Sequence, residues 1–136
     1  MHQISPQEAL VYVMILTSAA DSHMTDAELS RIGSLVHTIP AFREFDKDKL
    51  PEIARQCQEM LQDDDGLENV LDAIKSALPA KAYDTAYALA VDIAAADLSV
   101  SQVELRILQI LRDKLDLDKL TVAAIERGAR ARYRLL

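Results

Sequence analysis

Hydrophobic positions recur along most of the chain with helical spacing. Apolar residues three and four positions apart are typical of helices that bury one face. Two segments differ, because residues 10–16 and 86–96 are apolar on every side except at Asp92. A helix that is apolar all round is one surrounded by protein. The pattern therefore predicts an all-α bundle with these two helices, the first and the fifth, at its centre.

Start and stop signals divide the chain into about seven helices. A Ser or Thr followed three residues later by Glu forms a capping box, which predicts helix starts after Ser5, Thr25 and Ser101. The first helix should end near residue 20, the third begin near residue 48, and the fifth cover residues 81–96. Asp65 and Asp118 are predicted N-caps of the fourth and seventh helices. We expect Leu67 and Leu105 to be buried, on the apolar faces of the fourth and sixth helices. Phe42 and Phe45 should close one end of the bundle.

One stretch of the sequence occurs twice. Residues 19–29 and 95–105 share a layout in which Asp97 takes the place of Asp21 and Glu104 the place of Glu28. Internal similarity of this kind indicates that a fold contains related units. We predict two related helical units, at about residues 5–40 and 81–116, within a single domain over residues 1–136.

The doubled Ala-Ala-Asp-(x)6-Glu pattern, in a small acidic helical chain, resembles the TerB-like tellurite-resistance proteins. The resemblance implies an all-helical domain with a divalent-metal site built from the acidic residues of the motif. It also implies a role in bacterial tellurite or stress response. Ser22 and Leu98 stand where members of that family often have glycine after the motif aspartate.

Asp21, Glu28, Asp97 and Glu104 are the candidate metal ligands. Hard divalent cations bind several oxygens at one point, and carboxylates from two related loops could supply them. The alternative is structural, since a glutamate in a capping box binds the amide of its own N-cap and aspartate is common in turns. Neither loop has the glycine and the glutamate of an EF-hand. Calcium, magnesium, manganese and zinc are therefore not ranked.

Asp92 is a fifth candidate, because it lies within an otherwise apolar helix. A buried carboxylate must be paired, hydrogen-bonded, protonated or coordinated, since an unpaired buried charge is very costly. The sequence leaves two interpretations open. One is a buried pair with an arginine or a tyrosine, and the other is a role as a ligand, or behind the ligands, at the metal site.

The charge of the chain limits its partners. The net charge of -7 argues against nucleic acid, whose binding depends on Lys and Arg at phosphates. The charge is uneven: residues 1–100 hold 7 basic and 17 acidic residues, while residues 101–136 hold 8 basic and 5 acidic residues. The basic end could contact an acidic partner or, at the membrane periphery, anionic lipid, although such a face is more often only solvated. Its arginines are Arg127, Arg130, Arg132 and Arg134.

The sequence favours a binding function over catalysis. It contains no glycine-rich phosphate loop, nucleophile elbow or recognisable Cys-His spacing. The single Cys57 excludes a disulfide within the chain and suggests a cytoplasmic location, and the longest apolar run is too short to span a bilayer. We therefore expect a non-catalytic domain that binds a divalent metal and a protein partner. The alternatives are a metal-free helical interaction module, whose acidic motifs are only helix caps, and a metal-dependent hydrolase.

Overall fold

The computed structural model of the chain describes residues 3–19, 24–96 and 100–136. These residues form seven α-helices and three short 3-10 turns, and no β-strand occurs among them. The all-α prediction is confirmed. The helices are α1 (Pro6–Ser18), α2 (Asp26–Thr38), α3 (Leu50–Leu61), α4 (Gly66–Ala77), α5 (Tyr83–Ala96), α6 (Gln102–Lys114) and α7 (Lys119–Arg132).

Local hydrogen bonds at the helix starts explain why four of these helices begin where they do. Complete capping boxes are present at Ser5, Thr25 and Ser101, as the sequence predicts. The carboxylate of Asp118 accepts a hydrogen bond from the backbone amide of Thr121, at 2.7 Å, and caps α7. This bond also holds the pKa of the Asp118 carboxyl below its usual value.

Asp65 occupies the N-cap position of α4, but the capping by its side chain that the sequence predicts is absent. An N-cap residue normally has extended backbone angles, which point its side chain back at the helix amides. Asp65 instead has φ -102° and ψ 30°, because the chain turns directly from α3 into α4. The turn brings the amide of Gly66 within 2.9 Å of the Asp63 carbonyl.

Helix α1 lies at the centre of the core. Nine consecutive residues, from Ala9 to Thr17, are buried, since α1 packs against α2, α3, α4, α5 and α6. Helix α5 packs against α1, α6 and α7. The prediction that the two most apolar helices are central is therefore confirmed, and α1 ends at Ser18, slightly earlier than expected.

The segment between α2 and α3 is fastened to the start of α1. The side-chain amide of Gln7 donates hydrogen bonds to the carbonyls of Ala41 and Arg43, at 3.1 and 3.0 Å. Phe42 is buried, and its ring meets that of Phe45 edge to face, with centroids 5.7 Å apart. Phe45 is partly buried against the core. These contacts close the bundle beside α1.

Two leucines that we expected to be buried are exposed. Leu67 has 37% of its surface in water and Leu105 has 48%. In α6 the buried face instead runs through Ile107, Leu108 and Leu111. Leu105 is about 120° around the helix from Leu111 at 3.6 residues per turn, so it falls outside that face. The relation between the two units and the single domain over residues 1–136 stay predictions.

Candidate functional site

The two acidic motifs span the ends of central helices and the starts of the helices that follow. Asp21 and Asp97, together with His23, lie outside the residues that the structure describes. Glu28 is in the first turn of α2 and Glu104 is in the first turn of α6. The structure therefore describes the glutamate of each motif but not the aspartate.

Glu28 and Glu104 have the same local environment. Oε1 of Glu28 accepts a hydrogen bond from the amide of Thr25, at 2.9 Å, and Oε1 of Glu104 accepts one from the amide of Ser101, at 3.1 Å. Both side chains are half-buried. The other carboxylate oxygen, Oε2, makes no hydrogen bond to any residue in the described part of the chain. Each capping box thus uses one oxygen of its glutamate, and the other has no partner among the described residues.

The described residues do not by themselves form a metal centre. Within residues 3–19, 24–96 and 100–136, no three His, Cys, Asp or Glu side chains are grouped so that they could hold a metal ion. Glu28, Glu104 and Asp92 therefore do not make such a group without further ligands. A site that includes Asp21 or Asp97 would extend beyond the residues described.

Asp92 forms an ion pair with Arg132 of α7. Oδ1 of Asp92 accepts a hydrogen bond from Nη2 of Arg132, and the two side chains are 14% and 57% exposed. The carboxylate raises the pKa of the arginine. The guanidinium passes close to Gly128, where an added Cβ would lie 3.4 Å from Nη1. Pairing with an arginine was one of the two interpretations of Asp92 that the sequence left open, and this pair is present. The ion pair links α5 to α7.

A second polar cluster also connects α5 to α7, and the sequence analysis did not predict it. The hydroxyl of the fully buried Tyr87 donates a hydrogen bond to Oε2 of Glu126, at 2.6 Å. Nη1 of Arg112 donates to both groups, at 3.0 Å to the hydroxyl and 3.1 Å to the carboxylate. Burial, followed by the carboxylate, raises the pKa of Tyr87 to about 12. The three residues come from α5, α6 and α7, and their wide separation in sequence leaves no recognisable motif.

Comparison with known proteins identifies the family. A family model described as "Tellurite resistance protein TerB" matches residues 7–127. The chain belongs to the TerB family. The matched range includes both acidic motifs and ends within α7. Neither the curated proteins nor the solved structures gave a match to this chain.

This TerB-family chain has an open groove between α5 and α7. The groove has a volume of about 460 Å³. Its apolar lining comes from Ala88, Leu120, Ala124 and Ile125, and its polar lining from Asp84, Thr85 and Thr121. Leu120 leaves 81% of its surface in water. The described helices include none that is long and apolar enough to cross a membrane.

Two further titratable groups, Cys57 and Tyr12, are buried in the core. Burial raises the pKa of the Cys57 thiol to about 12, which disfavours the reactive thiolate. Burial also raises the pKa of Tyr12 to about 12, and its hydroxyl has no hydrogen-bond partner among the described residues. His37 and the acidic residues 63–65 are exposed. Within the described regions, none of these residues belongs to a group of three or more possible metal ligands.

Proposed function

We propose that this TerB-family chain is a non-catalytic domain of the bacterial tellurite or stress response that binds a divalent cation and a protein partner. One observation carries the metal part of the proposal. Glu28 and Glu104 are held by equivalent capping boxes, at Thr25 and Ser101, each with one carboxylate oxygen not used in the cap. Each also stands seven positions after an aspartate in the sequence, Asp21 or Asp97.

The chemistry of these residues suits a hard cation. Calcium, magnesium and manganese bind carboxylate oxygens, and zinc also accepts them. A glutamate already fixed by its cap loses less side-chain freedom when it binds an ion, so the cap favours binding. The ligands would form either one site or a pair of related sites. We further propose a cytoplasmic location, in keeping with a single buried Cys57 thiol.

The double variant Glu28→Gln, Glu104→Gln separates metal binding from capping. Glutamine can occupy the same position in a capping box and accept the same amide hydrogen bond, but it lacks the negative charge that a cation requires. The measurement is the melting temperature of metal-stripped protein with calcium, magnesium, manganese or zinc. An ion at a hundred times its Kd should add about 2.7 kcal/mol to the free energy of unfolding. We expect this rise for at least one ion in the parent chain and its loss in the double variant.

Glu8→Gln is the matched control. Glu8 occupies the same position in the capping box of α1, where its Oε1 accepts from the Ser5 amide at 2.8 Å. No aspartate occurs among residues 1–7, before that glutamate. The ion-dependent rise should therefore persist in Glu8→Gln. The metal part of the proposal is wrong if no ion raises the melting temperature, or if the rise survives in the double variant.

A metal-free interaction module is the second candidate. It is favoured by the completeness of the caps and by the pairing of Asp92 with Arg132, which together give three of the five candidate ligands a structural role. In that case, the ions should leave the melting temperature unchanged. The glutamine variants should then differ from the parent only by the small effect of losing a charge at a helix start, about 0.3–1 kcal/mol each.

A further inference from the structure

Helix α7 is attached to the bundle through little buried surface. Of its 14 residues only Ala129 is buried, whereas α1 buries nine. Val122 and Ile125 of α7 are partly buried against the core. Among the described helices, α7 packs extensively only against α5, while α1 to α6 pack against one another. The contacts that join α1 to α6 therefore do not depend on α7.

Two polar anchors hold α7 on the bundle. The guanidinium of Arg132 pairs with Asp92 of α5. The carboxylate of Glu126 pairs with Arg112 of α6 at 3.1 Å, and it accepts a hydrogen bond from the buried Tyr87 of α5 at 2.6 Å. Hydrogen bonds that involve a charged group are stronger than those between neutral groups. With so little apolar surface buried, the attachment of α7 depends largely on these charged groups.

The charge of the chain also divides at the start of α7. Residues 119–136 contain five basic residues and one acidic residue, a balance of +4, while residues 1–118 contain 10 basic and 21 acidic residues, a balance of -11. Asp84 and Asp92 of α5 lie on the side that faces α7. A basic helix is thus docked on an acidic bundle. Salt weakens such an attraction, because the screening length falls from about 10 Å at 0.1 M to about 3 Å at 1 M ionic strength.

We infer that α7 is a releasable strap, which leaves α5 as one unit while α1 to α6 stay folded. A helix of 14 residues is marginal in water without its packing partner, so the released segment loses its helical structure. Release uncovers the hydroxyl of Tyr87 and the face of α5 that contains Ala88. The strap therefore controls access to a surface of α5. This role goes beyond the proposed function and requires no metal.

Hydrogen exchange of the full, metal-stripped chain, followed residue by residue by NMR, measures the release. The amides of residues 122–132 should share one protection factor, at least about a hundredfold below that of the buried amides of α1, because they exchange through a local opening rather than through global unfolding. Raising sodium chloride from about 0.1 M to about 1 M should lower the protection of α7 by about threefold or more. The amides of α1 should not change with it.

Variants show whether the anchors hold the strap. Arg132→Gln and Glu126→Gln each remove the charge of one anchor and should lower the protection of α7 by about fivefold. Lys114→Gln is the matched control, because Lys114 pairs with Glu68 and Asp72 and so joins α6 to α4. The control should leave the protection of α7 as it is in the parent chain. In all three variants, the amides of α1 report any loss of global stability.

Limited proteolysis gives a second measurement of the same opening. Trypsin cleaves after Arg127 and Arg130 only when the surrounding segment of α7 has left its helix. In the Arg132→Gln variant, cleavage at these two sites should become faster by the same factor by which hydrogen exchange becomes faster.

Four results would overturn the inference. Equal protection of α7 and α1 would mean that α7 opens only when the whole chain unfolds. Protection that rises steadily from the end of α7 inward would indicate fraying instead of release as a unit. Protection that salt leaves unchanged, or that Lys114→Gln lowers as much as Arg132→Gln does, would mean that the charged anchors do not hold the strap. Because the chain is stripped of metal, a failure of the metal proposal would leave each of these results unaffected.

Discussion

Tyr12 in α1 and Tyr87 in α5 are both fully buried, but their hydroxyl groups have different surroundings. Tyr87 is bonded to Glu126 and Arg112, while the hydroxyl of Tyr12 has no partner among the described residues. A hydrogen bond to a charged group contributes about 1.5–3 kcal/mol, whereas a buried hydroxyl without a partner is itself costly. The same change of tyrosine to phenylalanine should therefore have different effects at the two positions.

We expect Tyr87→Phe to lower the free energy of unfolding by about 1–3 kcal/mol, because it removes the hydroxyl that joins α5 to the partners on α6 and α7. Tyr12→Phe should leave stability unchanged or raise it by up to about 1 kcal/mol. Urea unfolding followed by circular dichroism measures both. If Tyr12→Phe lowered the free energy of unfolding as much as Tyr87→Phe does, the two hydroxyl groups would not differ in their environments as described.

The pairing of Asp92 shows which part of a single-residue prediction the sequence does not supply. The sequence indicated that Asp92 needs a partner, because a lone carboxylate in an apolar helix is costly. It did not identify Arg132, which is forty positions away. Such a pair depends on how α5 and α7 pack, and no local pattern encodes that packing. The candidate metal ligands raise the same question, since tertiary structure decides whether the two motifs could contribute to one site.

At the scale of helices, prediction succeeded where the determining contacts are local. A capping box involves residues three positions apart, so Ser5, Thr25 and Ser101 were found from the sequence. The cap predicted at Asp65 failed because the short connection between α3 and α4 sets its backbone angles. The turn also brings the backbone of Gly66 close to the carbonyl groups of Met60 and Leu61, at the end of α3.

Gly66 and Gly33 provide a matched test of that close approach. A Cβ at Gly66 would lie 2.4 Å from the carbonyl oxygen of Met60 and 2.6 Å from that of Leu61, both backbone atoms that cannot move aside. A Cβ at Gly33, within α2, would lie 3.8 Å from the Cδ1 atom of Leu50. We expect Gly66→Ala to destabilise the chain by at least about 1–3 kcal/mol, the usual effect of overpacking.

Gly33→Ala should instead stabilise the chain by about 0.5–1 kcal/mol, because alanine loses less backbone entropy than glycine in a helix. Thermal unfolding of both variants is the measurement. Equal effects at the two positions would show that the contact between α3 and α4 adjusts freely, and that Gly66 is not required by the turn.

At the scale of the whole molecule, burial was predicted fully for the two helices that are apolar on every side and less completely for helices with one apolar stripe. The two apolar helices, α1 and α5, were correctly placed at the centre. The exposure of Leu120 was not foreseen, because the leucine has helical spacing with Ala124 and the sequence does not show what packs beside α7. The groove is therefore a property of the assembled bundle.

The assembled core also makes stability sensitive to alkaline pH. Burial raises the pKa of Tyr12, Tyr87 and Cys57 to about 12, from ordinary values of 10.0 for tyrosine and 9.0 for cysteine. In the unfolded chain these groups release protons near their ordinary values, whereas in the folded chain they stay protonated to about 12. Their contribution to stability should thus be complete below about pH 9 and lost as the pH rises from there to about 12.

Tyr12→Phe isolates one of these groups, because its removal eliminates one proton release on unfolding. The free energy of unfolding of parent and variant should differ by a constant amount from pH 7 to 9. Between about pH 10 and 12 the parent should lose about 1.4 kcal/mol more per pH unit than the variant. Urea unfolding at intervals across this range measures the slope. A difference that stays constant up to pH 12 would mean that the Tyr12 hydroxyl ionises as readily in the folded core as in water.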